Sequence, residues 1–381
     1  MSAATVNNLV DNLVIGGGLG GGMAALRLAR AGRDVMLVEK ERTAHHKVCG
    51  EFLSPEAVEY LRQAGVDPVS LGAVPIAYLR LSVGSRVMEA PLPFRALSLS
   101  RCVLDAALLA RAEIDGCIVR RGVVAARLAR NGDSWTAEWA DGTVQHACTV
   151  FLATGKHDLR GWSRPAGVQC DLVGFKLHWR LNAAETQALR GFMDLFLFSG
   201  GYGGLALVEN DVANLCLVVR RSRLRKLGGW PEVLAGLLEE NAHIGGRLAG
   251  ARALWERPLA ISSIPYGYMS YQNHGAWCVG DQAAVIPSFT GDGMAIALHS
   301  GALAAEMCLD GGSADQHQRM LRDQLQKGML MATWLSRAMV TVAGRALAPF
   351  ALAVLPQATG WIARSTRIPN WALRSAGFRA G

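Results

Sequence analysis

The chain has no CxxC pair and no zinc-type spacing among its eight cysteines, at positions 49, 102, 117, 148, 170, 216, 278 and 308. That pattern excludes a vicinal redox dithiol and a structural zinc, and predicts free, mostly buried thiols in a reducing cytoplasm. No long block of Lys and Arg occurs either; the net charge of +8 is spread along the 381 residues. A scattered basic excess argues against a nucleic-acid partner and leaves a mild field that attracts phosphorylated or acidic small molecules. No signal peptide precedes the first apolar strand. No apolar run is clean enough for a membrane span: residues 346–363 lack charge but contain Pro349, Pro356, Gln357 and Gly360. Such interruptions fit helices packed on the main body and leave peripheral contact with lipid open. No internal repeat or low-complexity linker is present.

What is present is core-forming material: 51% hydrophobic and 18% charged residues predict two domains or one large one. Near the start, the apolar strand Leu13-Val14-Ile15 runs into Gly16-Gly17-Gly18-Leu19-Gly20-Gly21, then a small-residue helix from about Met23 to Ala31, then the strand Val35–Glu39. Strand, G-x-G-x-x-G turn, helix and acid-ended strand make a dinucleotide-binding βαβ unit. In it Gly16 permits the tight turn, Gly18 lets backbone approach a pyrophosphate, and Gly21 lets the helix pack on the strand. Glu39 would accept hydrogen bonds from a ribose 2′-hydroxyl, which suits FAD or NAD better than NADP.

Further along, Ser54-Pro55 signals a helix start. Residues 76–83 and 87–92 read as a hairpin around Gly84-Ser85. Helix 103–112 follows Ser100-Arg101, then strands near 118–120, 123–130, 136–140 and 144–147, and a buried strand from Thr149 ending at Ala153-Thr154-Gly155. Residues 172–181, 192–198, 205–209 and 213–219 read as strands of one antiparallel sheet, with Gly200–Gly204 as a flexible link carrying Tyr202. A helix spans about 231–241. The strand Trp277–Val279 ends in Gly280-Asp281, and Thr290-Gly291-Asp292-Gly293-Met294 opens a helix to about Leu309. The expected division is a nucleotide-binding domain in three parts, 1–75, 98–165 and 271–325, with a hairpin excursion at 76–97. A substrate domain takes 166–270 and a helical region takes 326–381.

Taken in order, G-x-G-x-x-G, Ser100-Arg101, Ala153-Thr154-Gly155 and Val279-Gly280-Asp281 form a set. With it, roughly residues 9–310 resemble the FAD-dependent oxidoreductases of the class A flavoprotein monooxygenase (aromatic hydroxylase) and geranylgeranyl reductase superfamily. The resemblance implies an α/β fold: an FAD-binding Rossmann-type (glutathione-reductase-like) domain interleaved with an antiparallel β-sheet substrate domain, plus C-terminal helices. It implies FAD as cofactor and NADH or NADPH as electron donor. It would place Arg101 at the FAD pyrophosphate, Val124 near the adenine, and Asp281, after Gly280, on the ribityl chain. Ala153 and Gly155 would meet the nucleotide. Gly291, Gly293 and Met294 would set helix-start N–H groups beside flavin N1 and O2, where negative charge develops on reduction.

The segment Lys47-Val48-Cys49-Gly50-Glu51 looks like the lysine-x-cysteine-glycine stretch of the reductase branch, which lies over the flavin. It brings Lys47 and Cys49 to the cofactor. Cys49, His46 (beside His45) and Tyr202 are the candidate catalytic groups. The chain departs from the hydroxylase pattern in having Gly280-Asp281-Gln282-Ala283-Ala284, and in having Lys156–Trp162 where a mid-chain Asp-Gly motif stands. Only Ile264-Pro265 of a halogenase W-x-W-x-I-P motif is present, which disfavours halogenation. The leading expectation is hydroxylation of an aromatic or polyketide-like lipophilic molecule with NAD(P)H and O2. Reduction or dehydrogenation of carbon–carbon bonds in an isoprenoid-like substrate, and electron transfer without oxygenase activity, stay open. Phe175, Trp179, Phe192, Phe196, Phe198 and Tyr202 are expected to supply a greasy pocket.

Overall fold

A computed structural model of the chain describes residues 9–272, 274–354, 360 and 365–377. In chain order the first elements are β1 (Leu9–Ile15), α1 (Leu19–Arg30), β2 (Val35–Glu39), β3 (Phe52–Leu53), α2 (Pro55–Gln63), β4 (Val74–Val83), β5 (Arg86–Ser98) and α3 (Arg101–Ile114). Strands β6 (Ile118–Arg121), β7 (Ala125–Asn131), β8 (Ser134–Trp139) and β9 (Val144–Leu152) follow. Then come β10 (Leu172–Arg180), α4 (Ala183–Leu189), β11 (Gly191–Phe198), β12 (Gly201–Val208), β13 (Val212–Arg220), α5 (Arg221–Leu227), α6 (Trp230–Glu240) and α7 (Ala242–Leu248). The short strands β14 (Arg252–Ala253), β15 (Leu259–Ser262), β16 (Tyr268–Met269), β17 (Trp277–Cys278) and β18 (Ala284–Val285) lead into α8 (Gly293–Leu309), α9 (Ala314–Met339) and α10 (Val342–Val354).

The first sheet runs β6-β2-β1-β9-β8-β7, with β17 beside β9. Its centre is parallel: Leu13 lies opposite Met36 on one side and Val150 on the other. Strand β2 is buried along its whole length because helices cover the sheet, as an apolar run in a parallel sheet requires. Helix α1 starts at Leu19, four residues before the expected Met23, because the glycines of the turn are already helical. Ser54 caps α2 through the Ala57 N–H, and Ser100 caps α3 through the Val103 N–H, as their residue types require.

The second sheet runs β14-β10-β13-β12-β11-β4-β5-β3, with β15 on β10. It is antiparallel except where β11 meets β4 in parallel. The hairpin β4–β5 therefore belongs to this sheet, brought in across the chain by β11. Two sequence expectations fail here. Gly201–Gly204 is strand, so Tyr202 sits in β12, only 2% exposed, and not in a flexible link. The glycines are there for space: a β-carbon on Gly201 or Gly203 would lie 2.4 Å from the ring of Phe198 or Phe196 across the ladder. The aromatic set, Tyr202 excepted, also faces the other way. Phe175, Trp179, Phe196 and Phe198 pack with Val233, Leu237 and Ile244 of α6 and α7, with Phe192 at the edge of that layer. The strand period of two gives the opposite face to Met193, Leu195, Leu197, Tyr202, Gly204, Cys216 and Val218.

Long helix α9 begins with a capping box, Ser313 and Gln316 exchanging side-chain and backbone hydrogen bonds. The uncharged stretch 346–363 is helical through Val354, while residues 355–359 and 361–363 lie outside the described residues. Among the described residues no helix is long and apolar enough to cross a membrane. All eight cysteines are free, but only Cys117 and Cys278 are buried, and Cys148 and Cys170 are exposed. Cys148 lies where β9 alternates toward solvent, and Cys170 lies in a surface connection, so apolar character alone did not bury them.

Candidate functional site

At the carboxyl end of β1 the backbone turns at Gly16 with φ 112°, and a β-carbon there would stand 2.3 Å from the Ala153 carbonyl oxygen. A β-carbon on Gly21 would stand 2.1 Å from the Gly16 carbonyl oxygen, so helix and turn touch backbone to backbone. Gly18 differs. Its φ is −79°, and its missing β-carbon would have only the Arg101 Nη2 (3.6 Å) and the Lys47 Nζ (3.7 Å) as neighbours. Gly18 is thus a glycine the protein itself does not need, standing at an uncapped helix N-terminus under two cations. That cradle fits a pyrophosphate: the helix dipole and both cations favour an anion there.

Asp105 holds the two cations. Its carboxylate accepts from Arg101 Nε (2.7 Å) and Nη2 (2.9 Å) and from Lys47 Nζ (2.8 Å). Burial would raise the Asp105 pKa, but Arg101 and Lys47 outweigh it and hold the carboxyl below its ordinary range. The trio keeps one net positive charge beside Gly18. Glu39 is buried and accepts from the Gly17 N–H (2.8 Å) and the Glu41 N–H (3.0 Å), which fixes its carboxylate at the edge of the cleft. Val124, half exposed, lies on the same cleft wall as Glu39, where an adenine would rest.

Gly155, Gly280, Asp281 and the start of α8 line the next part of the cavity. Lys156 Nζ lies 3.4 Å from Asp281 and donates to the Val48 carbonyl (3.3 Å), while Arg164 donates to the Asp281 carbonyl (2.7 Å). Gly291, at φ 74°, presses on Phe52: a β-carbon would lie 2.5 Å from that ring. Gly293 and Met294 open α8 toward the cavity, and no side chain caps that helix start. Buried Asp292 is pushed up to about 6 by desolvation, against the pull of Arg367 3.5 Å away.

The Lys47–Glu51 loop is fastened from below. Glu51 takes a left-handed φ of 61° and is fully buried. It accepts from the Arg101 backbone N–H (2.8 Å), from Lys176 of β10, and from His178 Nε2 (3.3 Å). Burial raises its pKa, but the His178 hydrogen bond and the Lys176 ammonium outweigh this and leave the group ionised. His46 stacks edge-on against His178 (4.8 Å between centroids) and lies 4.9 Å from Trp255. Burial first, then Lys176, lowers it to about 4, so near neutral pH His46 is an uncharged imidazole. His46, Glu51 and His178 have ligand atoms within 4.8 Å of one another, yet the Lys176 ammonium already sits on Glu51 and would repel a cation. Cys49 faces the cavity, held by its carbonyl to Asn214 Nδ2 (3.1 Å).

Beyond Cys49 the cleft opens into an apolar chamber between the second sheet and α9 and α10. Cleft and chamber form one cavity of about 950 Å³. Leu79, Leu81, Met193, Leu195 and Leu197 form its floor, and Trp334, Met339 and Leu347 its outer wall. Tyr202 points into it, T-shaped against Phe289, with its hydroxyl 3.0 Å from Ser336 Oγ. Sequence reading missed Asp105, although it lies one helical turn after Arg101, and Lys176, although a lysine amid the apolar Leu172–Trp179 run is a signal of a buried partner. Tyr266 and Ser288, also in the wall, carried no local signal.

Residues 9–150 match the family model described as an FAD binding domain. A menaquinone reductase of Mycolicibacterium smegmatis is 26% identical over 361 residues, covering 86% of this chain and 84% of that one. A digeranylgeranylglycerophospholipid reductase of Methanopyrus kandleri is 26% identical over 319 residues, with 79% and 77% covered. Among solved structures, the myxobacterial chondrochloren halogenase CndH superposes with a TM-score of 0.74 at 19% identity, covering 92% of this chain and 90% of that one.

Proposed function

Since the chain belongs to the superfamily of FAD-dependent oxidoreductases, we propose that it is a flavin-dependent reductase or dehydrogenase of a lipophilic small molecule, with NADH or NADPH as electron donor. The observation that carries this reading is the single cavity joining the Gly18 cleft, past Cys49, to an apolar chamber. Bound FAD would supply two-electron redox chemistry. Arg101 and Lys47 bind its pyrophosphate, Glu39 accepts from a ribose hydroxyl, and the uncapped start of α8 offers N–H groups where negative charge accumulates. The chamber wall excludes water and orients an apolar substrate along the floor of the second sheet. Similarity over most of the chain to two proteins named as reductases supports the same reading.

Hydroxylation with O2 is the second reading, favoured by the apolar lining of that chamber, since oxygen transfer also needs water kept out. One experiment separates the two. The purified flavin-loaded protein is reduced anaerobically with NADH or NADPH while flavin absorbance is followed, and a lipophilic quinone or polyisoprenoid alkene is then added without O2. Reoxidation with reduced probe supports the reductase. Reoxidation only on admitting 18O2, with label in the probe, replaces it by hydroxylation. Reoxidation by neither, with electrons accepted from a protein donor, leaves electron transfer. A protein that binds no flavin overturns all three.

A further inference from the structure

An aspartate at a helix N-cap ordinarily accepts from the N–H groups of the first turn. Asp292 holds that position on α8 and does not: its backbone is already helical (φ −89°, ψ −7°) and its side chain caps nothing. The carboxyl group turns inward instead. It is 1% exposed, with Oδ1 3.5 Å from Arg367 Nη1 and Oδ2 without a hydrogen-bond partner among the described residues. Arg367, from beyond α10, is itself shared: its Nη1 donates to Glu56 of α2 at 2.8 Å, and its guanidinium lies over the Phe94 ring of β5, 3.8 Å from the centroid. The hydroxyls of Thr366 and Thr290 also bear on the Asp292 carboxyl. One guanidinium thus faces two carboxyl groups and cannot neutralise both. The carboxyl left with the longer contact and an unpaired oxygen is Asp292.

We propose that Asp292 is a positioning residue that takes up a proton as the cofactor is reduced, so that the uncapped start of α8 serves the charge of the reduced ring alone. This rests on the reading that FAD lies in the cleft with its ring at that helix start. Gly291 and Gly293, on either side of Asp292, line the cavity, so negative charge gathering at that wall is opposed by an ionised Asp292. Both charges compete for one positive helix end. When two electrons arrive from the donor, a proton from solvent on Asp292 Oδ2 removes one of the competitors and leaves the α8 N–H groups and Arg367 to the other. Desolvation raises Asp292 to about 6, against the pull of Arg367 and Thr366, and Glu56 adds to the rise. An acid with that value is ionised near neutral pH beside an uncharged ring, and binds a proton when a second negative charge appears.

The test is the midpoint potential of the flavin-loaded protein from about pH 5 to about pH 8, read by anaerobic equilibration with a redox dye of known potential, for wild type, Asp292→Asn and Glu56→Gln. At about pH 5, where the wild-type carboxyl is already neutral, Asp292→Asn is expected to change the reduction equilibrium constant by less than about twofold. At about pH 8 it is expected to favour reduction by about tenfold or more, which is about 30 mV for a two-electron couple. The wild-type potential should fall more steeply with pH than that of Asp292→Asn, beginning near pH 6. Glu56→Gln leaves Arg367 to Asp292 and should move the start of that steeper stretch to lower pH. An offset between wild type and Asp292→Asn that is the same at every pH marks a merely structural role and overturns the inference, as does an Asp292→Asn protein no easier to reduce at the upper end. If Asp292→Asn loses its flavin, Glu56→Gln decides alone, and a start that does not move overturns the inference. Neither substrate nor NAD(P)H is present, so a failed turnover assay with these potentials intact rejects only the reductase reading, and the reverse result rejects only the role of Asp292. A chain that holds no FAD overturns both.

Discussion

Replacing Gly18 by valine tests the cofactor cradle without breaking the protein. The backbone there is already in a conformation open to any residue, and the nearest atoms to an added β-carbon are the flexible ends of Arg101 and Lys47, 3.6 and 3.7 Å away. The folded state should lose only about 1 kcal/mol, the cost of a poorer helix N-cap. The valine methyls, however, fill the gap between both cations and the start of α1, where the proposed pyrophosphate would lie. A charge-assisted hydrogen bond contributes about 1.5–3 kcal/mol, so separating the anion from two cations costs about 3–6 kcal/mol. That is a loss of about 10²- to 10⁴-fold in FAD affinity. Titration of FAD into apoprotein, read by quenching of flavin fluorescence, measures it, and urea unfolding of the apoprotein checks the fold. Flavin retained with wild-type affinity in a folded Gly18→Val protein would refute the placement of the pyrophosphate. Gly16→Val makes the contrast: at φ 112°, with Ala153 oxygen 2.3 Å away, it should fail to fold rather than fail to bind.

Two further predictions concern stability. Gly201→Ala forces a methyl to within 2.4 Å of the Phe198 ring and the Val218 carbonyl, and should lower urea stability by about 1–3 kcal/mol with the m-value unchanged; an unchanged midpoint would show that the ladder has room to shift. His299 is fully buried, hydrogen-bonded to Tyr60 (2.7 Å) and Gln324 (2.7 Å), and burial lowers it from 6.5 to about 4. Because the unfolded chain takes up that proton near pH 6.5 and the folded chain only near 4, stability falls as pH drops through this window. Between pH 7 and 5 this one group accounts for about 2 kcal/mol. His299→Gln should remove that share of the slope, while Asp292, raised to about 6 and acting in the opposite sense, cancels between the two proteins. Equal pH slopes in urea unfolding of the two proteins would sink the assignment.

The nucleotide unit was legible in the sequence because its constraints are local. The turn at Gly16 needs positive φ, the ends of β2 and α3 follow from residue types within a few positions, and the cations stand close to residues named from sequence. The chamber was not legible, because strand alternation says which residues share a face but not which face meets the cavity. Phe196 and Phe198 alternate with Leu195 and Leu197, and both sets are apolar; only the packing of α6 and α7 on the phenylalanine side assigns the leucines to the chamber. Nor could spacing join Glu51 to Lys176, 125 residues apart, or Tyr202 to Ser336, 134 apart.

That long-range pair bears on why a charge is buried at all. Removing one partner of a buried ion pair costs about 3–5 kcal/mol, yet replacing both by neutral groups is often harmless. Stability alone therefore does not require Lys176 and Glu51. What the pair does is geometric: the Glu51 carboxylate accepts from the Arg101 backbone N–H and from Lys176 of β10, and the Glu51 backbone N–H donates to Cys49 Sγ, so the start of α3, the second sheet and the Cys49 loop are fixed to one residue. On this argument Lys176→Met should be destabilised by about 3–5 kcal/mol, and Lys176→Met with Glu51→Gln should return to within about 1 kcal/mol of wild type. The double variant should nonetheless bind FAD about tenfold more weakly, because its loop is held by neutral hydrogen bonds alone. Urea unfolding and FAD titration of the same preparations read both effects. A double variant that recovers stability and keeps wild-type flavin affinity would show that the ion pair positions nothing.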